Sequence, residues 1–160
     1  MMLPIKISNR IVTSFTSEKH WLIERVKRAL ALNRRGGTRR DRDQLRLVSA
    51  RAILQVEWLA RDIHPWDRDL PPDRAEQAFS EQCLRDTDSA IARLFAEFPA
   101  IDAVEVRVAR APSQPVLMAG VINREELGKT GTGHQSIGMK LRNLGVVFRM
   151  NQLRLEGVKD

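Results

Sequence analysis

The spacing of apolar residues along the chain changes near residue 100. Before that point apolar residues recur at intervals of three and four, which is typical of amphipathic helices. After it they alternate with polar residues, which is typical of half-buried strands. The pattern therefore predicts a helical first half and a sheet-forming second half, and an α+β fold in which helices cover a sheet.

Two of the three predicted helices are marked by capping residues and by helix breakers. Ser17 or Thr16 can cap a first helix, which Asn33 ends. A third helix begins near Pro71 and Pro72, where proline is tolerated in the first turn, and it ends at Pro99. The spacing predicts that the buried face of the third helix contains Phe79, Cys83, Thr87, Ala90, Ile91, Leu94, Phe95 and Phe98.

The second predicted helix has the longest apolar seam in the chain. Asp41 is a suitable N-cap, with Gln44 as its capping-box partner. The helix is expected to end at His64, since the residue before Pro65 is pushed out of the helical backbone region. We therefore expect this helix to lie at the centre of the helical layer. The seam consists of Leu45, Val48, Ala52, Val56, Leu59 and Ile63.

The second half predicts a hairpin, a short helix and another hairpin. The segments AVEVRVAR (103–110) and PVLMAGVI (115–122) form the first hairpin, and a loop follows over residues 123–135. A short helix over residues 136–144 is expected to stop at Gly145, and VVFRM and LRLEG form the second hairpin.

The predicted fold is therefore α+β, with three N-terminal helices packed on a small, mainly antiparallel four-stranded sheet. That sheet is built from the two hairpins, with the short helix between them. We expect residues 1–160 to form a single domain. Residues 1–99 make its mainly helical half, with a basic loop over residues 33–42, and residues 100–160 make its hairpin–helix–hairpin half.

Composition excludes several classes of protein. A hydrophobic content of 42% argues against intrinsic disorder. Cys83 is the only cysteine, so an intramolecular disulfide and a structural zinc finger are both excluded. No apolar run approaches the roughly 20 residues of a membrane span, and the N-terminal residues do not match a signal peptide. We therefore expect a cytoplasmic protein without a membrane span.

The net charge of +7 is concentrated in one segment. Residues 19–51 contain eleven basic and three acidic side chains, a net charge of +8, whereas residues 52–160 contain fourteen basic and sixteen acidic side chains, a net charge of −2. Such asymmetry favours an anionic partner. Arginine can contact phosphate oxygens in a bidentate manner. The candidate nucleic-acid-binding residues are Arg25, Arg28, Arg34, Arg35, Arg39, Arg40, Arg42 and Arg46.

Two interpretations of NRRGGTRRDR (33–42) remain open at this stage. In one, its arginines neutralise phosphates of DNA or structured RNA; Trp21 is the only aromatic nearby, so a single-strand stacking surface fits less well. In the other, it is a solvated loop around Gly36 and Gly37. A third, less favoured interpretation is that the segment contacts an acidic protein partner or a membrane surface.

A weaker candidate for chemistry is DIHPWDRDLPPD (62–73). Asp62, His64, Asp67 and Asp69 are residue types that bind divalent metals and activate water for phosphodiester hydrolysis. The prolines of this segment favour the simpler interpretation, a rigid connector between two helices. GKTGTG (128–133) includes the Gly-Lys-Thr of a phosphate loop, but Asn123 stands where the first glycine of that motif belongs. No cofactor is predicted.

Residues 136–157 resemble the recognition helix and wing of winged-helix DNA-binding proteins. The resemblance covers a short helix followed by a tight hairpin, SIGMKLRNLGVVFRMNQLRLEG. It implies that Lys140 and Arg142 face a DNA groove and that Arg149 or Arg154 contacts the backbone.

Taken together, the sequence predicts a small non-enzymatic binding or accessory protein that engages nucleic acid through an Arg-rich helix–loop–helix surface. The alternative is a structural or protein–protein interaction module, which self-associates or docks on a partner through an exposed strand edge at 115–122 or 152–157. A metal-dependent nuclease built on residues 62–69 ranks third.

Overall fold

A computed structural model of the protein describes residues 53–129 and 133–158, the backbone of residues 45–50, and the separate residues Arg25 and Arg28. The architecture is α+β, a mixed sheet with helices packed against it. In chain order the elements are β1 (Leu45–Ala50), β2 (Ile53–Leu59), a 3-10 turn (Pro65–Asp69), α1 (Pro72–Glu97), β3 (Ala103–Ala109), β4 (Val116–Asn123), α2 (Arg124–Lys129), α3 (Ile137–Asn143), β5 (Val146–Asn151) and β6 (Arg154–Glu156).

The described strands lie side by side in the order in which they occur along the chain. Strands β1 to β5 form one mixed sheet, and β5 continues into a hairpin with β6. Only the pairing of β2 with β3 is parallel in this part of the chain, with Ile53 opposite Ala103 and Leu59 opposite Ala109. Helix α1 makes the crossover that such a parallel connection requires.

The prediction of a helix over residues 41–63 is wrong, because β1 and β2 occupy most of it as an antiparallel hairpin. The apolar residues of this stretch satisfy both periods. Leu54, Val56 and Trp58 alternate with more accessible neighbours, and all three are buried. Val56 fits the helical seam equally well, so local spacing does not separate a strand from a helix here.

The predicted order of three N-terminal helices and a four-stranded antiparallel sheet is therefore wrong as well. Helix α1 follows two strands, and it connects β2 to β3 within a mixed sheet. The short helix α2 occupies residues 124–129 of the segment predicted as a loop. Other predictions are confirmed: α1, the β3–β4 hairpin, α3 and the β5–β6 hairpin all form close to the predicted positions.

The core lies between α1 and one face of the sheet. Ile91 and Leu94 of α1 are completely buried against that face. Strand β3 contributes alternate residues, because successive side chains of a strand point to opposite faces. Helix α3 closes one end of the core through Leu141. The sheet residues with 0% exposure are Val104, Val106, Val108, Met118 and Ile122.

Two hydroxyl groups of α1 lie in this core in different circumstances. Ser80 accepts a hydrogen bond from the buried backbone amide of Leu155 at 2.8 Å and donates to the carbonyl of Glu76 at 2.9 Å. Ser80 therefore attaches β6 to α1. Thr87 is equally buried, but its hydroxyl oxygen has no hydrogen-bond partner among the described residues.

We expect Ser80→Ala to lower the free energy of unfolding by about 1–2 kcal/mol, because the amide of Leu155 loses its acceptor in a buried position. Thr87→Val is the matched control, since it removes a hydroxyl that makes no hydrogen bond, and the protein should keep its stability or gain slightly. Urea denaturation followed by circular dichroism measures both. Equal losses in the two variants would contradict this difference between the two hydroxyls.

The backbones of β4 and of the turn before β5 approach each other closely at two glycines. A β-carbon placed on Gly120 would lie 2.9 Å from the α-carbon of Val146, and closer still to the carbonyl oxygen of Gly145. Gly145 has a φ of +99°, a conformation that glycine adopts without strain, and it ends α3 as the sequence predicts. The meeting of these glycines allows β5 to pair with β4.

Arg124 of α2 donates hydrogen bonds to carbonyl groups at and just beyond the C-terminal end of α1. The last turn of α1 contains no basic residue of its own. The guanidinium of Arg124 donates to the carbonyl oxygens of Phe95, Phe98 and Ile101, at 3.3, 2.7 and 2.8 Å for the shortest contacts. It also lies over the Phe95 ring, 4.8 Å from the centroid. Cations at this end of a helix also interact favourably with its dipole.

Candidate nucleic-acid interface

The candidate phosphate-binding arginines fall into two groups with respect to the structure. Arg25 and Arg28 are described as helical residues, and Arg46 is described as a backbone position in β1, opposite Glu57 of β2. The remaining candidates lie outside the described residues: Arg34, Arg35, Arg39, Arg40 and Arg42.

Arg25 is bound to the C-terminal end of α1. Its Nε donates to a carboxylate oxygen of Glu97 at 2.8 Å, and its Nη2 donates to the carbonyl oxygen of the same residue. The guanidinium also lies over the ring of Phe98, 4.6 Å from the centroid. Arg25 therefore joins the N-terminal part of the chain to α1, which sequence reasoning did not predict.

Arg28 lies one helical turn further along the chain and is exposed. It lines an open groove with Arg93, Ala96 and Glu97 of α1. Arg93 is exposed too, and neither guanidinium forms an ion pair with a described residue. Two exposed guanidinium groups thus border one groove near the C-terminal end of α1. One of them, Arg28, lies shortly before the Arg-rich residues 33–42 in the sequence.

Many basic side chains of residues 53–158 are engaged by carboxylates of the same region. Arg110 makes a bidentate contact with Glu76 at 2.7 and 2.8 Å, which holds the pKa of that carboxyl below its usual value. Arg61 makes a similar contact with Asp86 at 2.7 Å. The further pairs are Arg85 with Glu81, Lys129 with Glu126, Lys140 with Asp88, and Arg154 with Asp73.

These pairs also bear on the resemblance to a winged helix. Lys140 is engaged by Asp88 at 2.7 Å, and Arg142 lies over the ring of Phe148, 4.7 Å from the centroid. Strand β5 is bonded to β4 in the mixed sheet, so the β5–β6 hairpin is not a free wing. Neither basic residue of α3 is thus positioned as the resemblance implies.

The candidate metal ligands at residues 62–69 lie on a turn that is held rigidly to α1. His64 accepts a hydrogen bond from the amide of Trp66 through Nδ1 at 3.4 Å, and Asp62 accepts one from the amide of Ile63. The side chain of Gln82 donates to the carbonyl of Asp62 at 3.0 Å. Within the described part of the chain, no group of three or more His, Cys, Asp or Glu side chains is placed to hold a metal ion.

Trp66 is the most exposed large apolar side chain of the described residues, at 83%. Its ring stacks on that of His64, with 6.0 Å between centroids and 9° between planes. The sequence places Asp62, Asp67 and Asp69 close by on the same turn. Carboxylates repel phosphates, so this turn is a poor place for a nucleic-acid backbone.

Cys83 lies on the buried face of α1, as its position on the apolar stripe predicts. Burial raises the pKa of its thiol to about 12. The nucleophilic thiolate is therefore scarce at neutral pH, and Cys83 is a packing residue rather than a reactive one.

The sheet has a second face, opposite α1, that sequence reasoning did not identify. Strand β3 presents Ala103, Glu105, Arg107 and Ala109 on it, because these residues alternate with the three core valines. Gln55 of β2 donates to Glu105 at 2.6 Å across this face. The alternation of AVEVRVA signals this second face, but on sequence grounds alone Glu105 and Arg107 read simply as solvent-facing residues.

The strand edge predicted at residues 115–122 is not available for docking, because β4 lies between β3 and β5 and is paired on both sides. Strand β6 has three residues and is the last strand of the series, so the 152–157 prediction falls on a short terminal strand.

Comparisons with known protein families, with curated proteins and with solved structures find no match to this chain. Among the described residues, no helix has the length and apolar character needed to cross a membrane.

Proposed function

We propose that the protein is a non-enzymatic binding or accessory protein that engages DNA or structured RNA through the arginines of residues 25–46. In this proposal the phosphate contacts come from Arg28 and from the arginines between residues 34 and 46. Arg25 is a positioning residue, because its guanidinium is already held by Glu97 and Phe98.

One observation carries the proposal, which is the division of charge between the two parts of the chain. Carboxylates of residues 53–158 neutralise many basic groups of that same region. Residues 19–51 hold a net charge of +8 with only three carboxylates. An unbalanced charge of that size repels itself, and a polyanion relieves the repulsion while releasing its condensed counterions.

The predicted ligand is a duplex or a folded RNA rather than an extended single strand. Single-strand binding proteins combine a cationic groove with aromatic side chains on which bases stack. The exposed aromatic side chain that the structure describes, Trp66, lies in an acidic turn. Binding that depends on arginine and phosphate alone discriminates little between base sequences.

Fluorescence anisotropy of a labelled duplex, measured at several salt concentrations, tests the proposal. We expect the logarithm of the association constant to fall linearly with the logarithm of salt concentration, with a slope of about −0.9 per phosphate contacted. Simultaneous replacement of Arg34, Arg35, Arg39 and Arg40 by Ala should weaken binding at low salt at least roughly tenfold, and should make the slope shallower by up to about 3.6.

A matched control removes the same number of charges from the opposite part of the chain, by replacing Arg68, Arg74, Arg85 and Lys129 by Ala. These side chains are exposed, and the ion pairs of Arg85 and Lys129 are surface pairs of small energetic value. The control should keep the wild-type slope. Equal weakening in both variants would assign binding to overall charge, and absence of duplex binding by the wild type at low salt would reject the proposal.

A further inference from the structure

The face of the sheet opposite α1 is not covered by any described helix, and it combines apolar and charged positions. Three of its side chains are exposed large apolar residues, Ile53 at 38%, Val121 at 47% and Val147 at 59%. They come from β2, β4 and β5, so they extend across most of the sheet. Scattered exposed apolar residues are normal on a protein surface, but several on one flat face indicate a contact surface.

The central strand of this face has a symmetrical pattern about Val106. Along β3 the positions on this face are Ala103, Glu105, Arg107 and Ala109. The two alanines at the ends are buried, with 4% exposure each, and the partly accessible acid and base flank the centre. Arg107 forms no ion pair within the part of the chain that the structure describes. Its lateral neighbours in the sheet are Glu57 on β2 and Ala119 on β4.

We propose that two copies of this chain pack together through this face, about a two-fold axis. The axis lies in the plane between the two sheets, crosses the strands at right angles and passes over Val106. Rotation about that axis exchanges the positions of Glu105 and Arg107. Each Glu105 then faces the partner's Arg107, and this ion pair is formed twice, as an isologous interface requires.

The same rotation gives acceptable contacts on the strands beside β3. Val121 faces the partner's Ala119, because these residues stand opposite Glu105 and Arg107 in the sheet register. Ile53 faces the partner's Leu59, because they stand at the two ends of the β2–β3 register. The axis makes the two β3 strands antiparallel, which is the aligned mode of sheet packing. Facing sheets lie about 10 Å apart, a distance that an opposed Glu and Arg can bridge.

A second copy of the chain fits this face better than a uniformly acidic or basic partner. A partner with one sign of charge would satisfy either Glu105 or Arg107 and would leave the other facing a like charge, which is destabilising. The second copy satisfies both. The interface uses neither Arg28 nor residues 33–42, so it is separable from most of the proposed phosphate contacts. Arg46 is the exception, because it stands opposite Glu57 in the register of the sheet.

Sedimentation velocity over a range of micromolar concentrations, with protein freed of nucleic acid, tests the proposal. The wild type should show a concentration-dependent dimer. Arg107→Glu places four acidic groups at the centre of the interface, Glu105→Arg places four basic groups there, and each variant alone should be monomeric. Mixing the two variants should restore a dimer, since at positions 105 and 107 one variant supplies two acids and the other two bases. The double variant E105R/R107E should dimerise by itself.

Controls separate this result from loss of the fold. Arg85→Glu makes the same charge change on an exposed position of α1, and it should leave the dimer intact. Circular dichroism establishes that each variant is folded. If the charge variants do not fold, Val121→Lys at an exposed position should weaken dimerisation at least tenfold. The proposal is overturned if the wild type is monomeric throughout, or if folded charge variants do not associate when mixed.

Discussion

Replacing Gly120 by Ala is expected to lower the free energy of unfolding by about 2–3 kcal/mol. The added β-carbon meets backbone atoms of Gly145 and Val146, including the α-carbon of Val146 at 2.9 Å. Backbone cannot rotate away as a side chain can, so β5 must move from β4 to make room. Guanidinium denaturation measures the loss as a lower midpoint at an unchanged slope.

Gly128→Ala is the matched control for this prediction. Nothing lies within 4 Å of the β-carbon that it would add, and Gly128 is in the helix α2, where alanine is the better residue by up to about 1 kcal/mol. The control should therefore leave stability unchanged or raise it. Similar losses at both positions would contradict the steric explanation for Gly120.

Replacing Arg124 by Met is expected to lower the free energy of unfolding by about 2–3 kcal/mol. Methionine keeps the apolar part of the side chain near the Phe95 ring, but it donates no hydrogen bond. The carbonyls of Phe95, Phe98 and Ile101 then lose a charged donor at a partly buried position. Thermal and chemical denaturation both measure this change.

Arg142→Met isolates the hydrogen bonds from the contact with an aromatic ring. Arg142 lies over Phe148 at 4.7 Å, much as Arg124 lies over Phe95 at 4.8 Å. Arg142 itself is exposed on the short helix α3. We expect this control to cost less than about 1 kcal/mol, the magnitude of an exposed cation–π contact. Equal losses in the two variants would show that the ring contact, rather than the carbonyl cap, gives Arg124 its effect.

Elements whose limits and period are both local were predictable from the sequence. Helix α1 lies between Pro71 and Pro99, and its apolar spacing fits only a helix over that length. Strand β3 was predictable because Val104, Val106 and Val108 alternate strictly with polar or small residues. The turn before β6 was expected as well, and its residues Gln152 and Leu153 both have positive φ, as a tight hairpin turn requires.

The hairpin of β1 and β2 was not predictable in this way, since its decisive contacts are remote in sequence. Val56 is buried because it lies beneath α1 and beside Val106 of β3, a residue 50 positions further along the chain. Nothing in the spacing of residues 45–63 reveals that partner. Without knowledge of that partner, the stretch fits two periods at once. Its apolar residues stand at nearly every second position, as in a strand, and at every third or fourth position, as in a helix.

The candidate sites show the same division between local and remote information. The segregation of charge into residues 19–51 is visible in the sequence alone. The attachment of Arg25 to Glu97 joins residues 72 positions apart, and no pattern on either side signals it. Likewise, Glu105 and Arg107 are recognisable as outward-facing, but their place on the central strand of a face that no described helix covers depends on the order of the strands.

That strand order has a consequence for how the native state opens. All five described pairings join strands that are consecutive in the chain, and the pairing of β2 with β3 closes the longest connection, residues 60–102. The next longest, residues 124–145, lies between β4 and β5. Loop closure makes such a contact entropically costly to form. Release of this pairing and of the core contacts of Leu54, Val56 and Trp58 would detach β1 and β2 together and leave β3 to β6 paired beneath α1. We therefore expect the β1–β2 hairpin to open as one cooperative unit, with a free energy of opening that native-state hydrogen exchange measures.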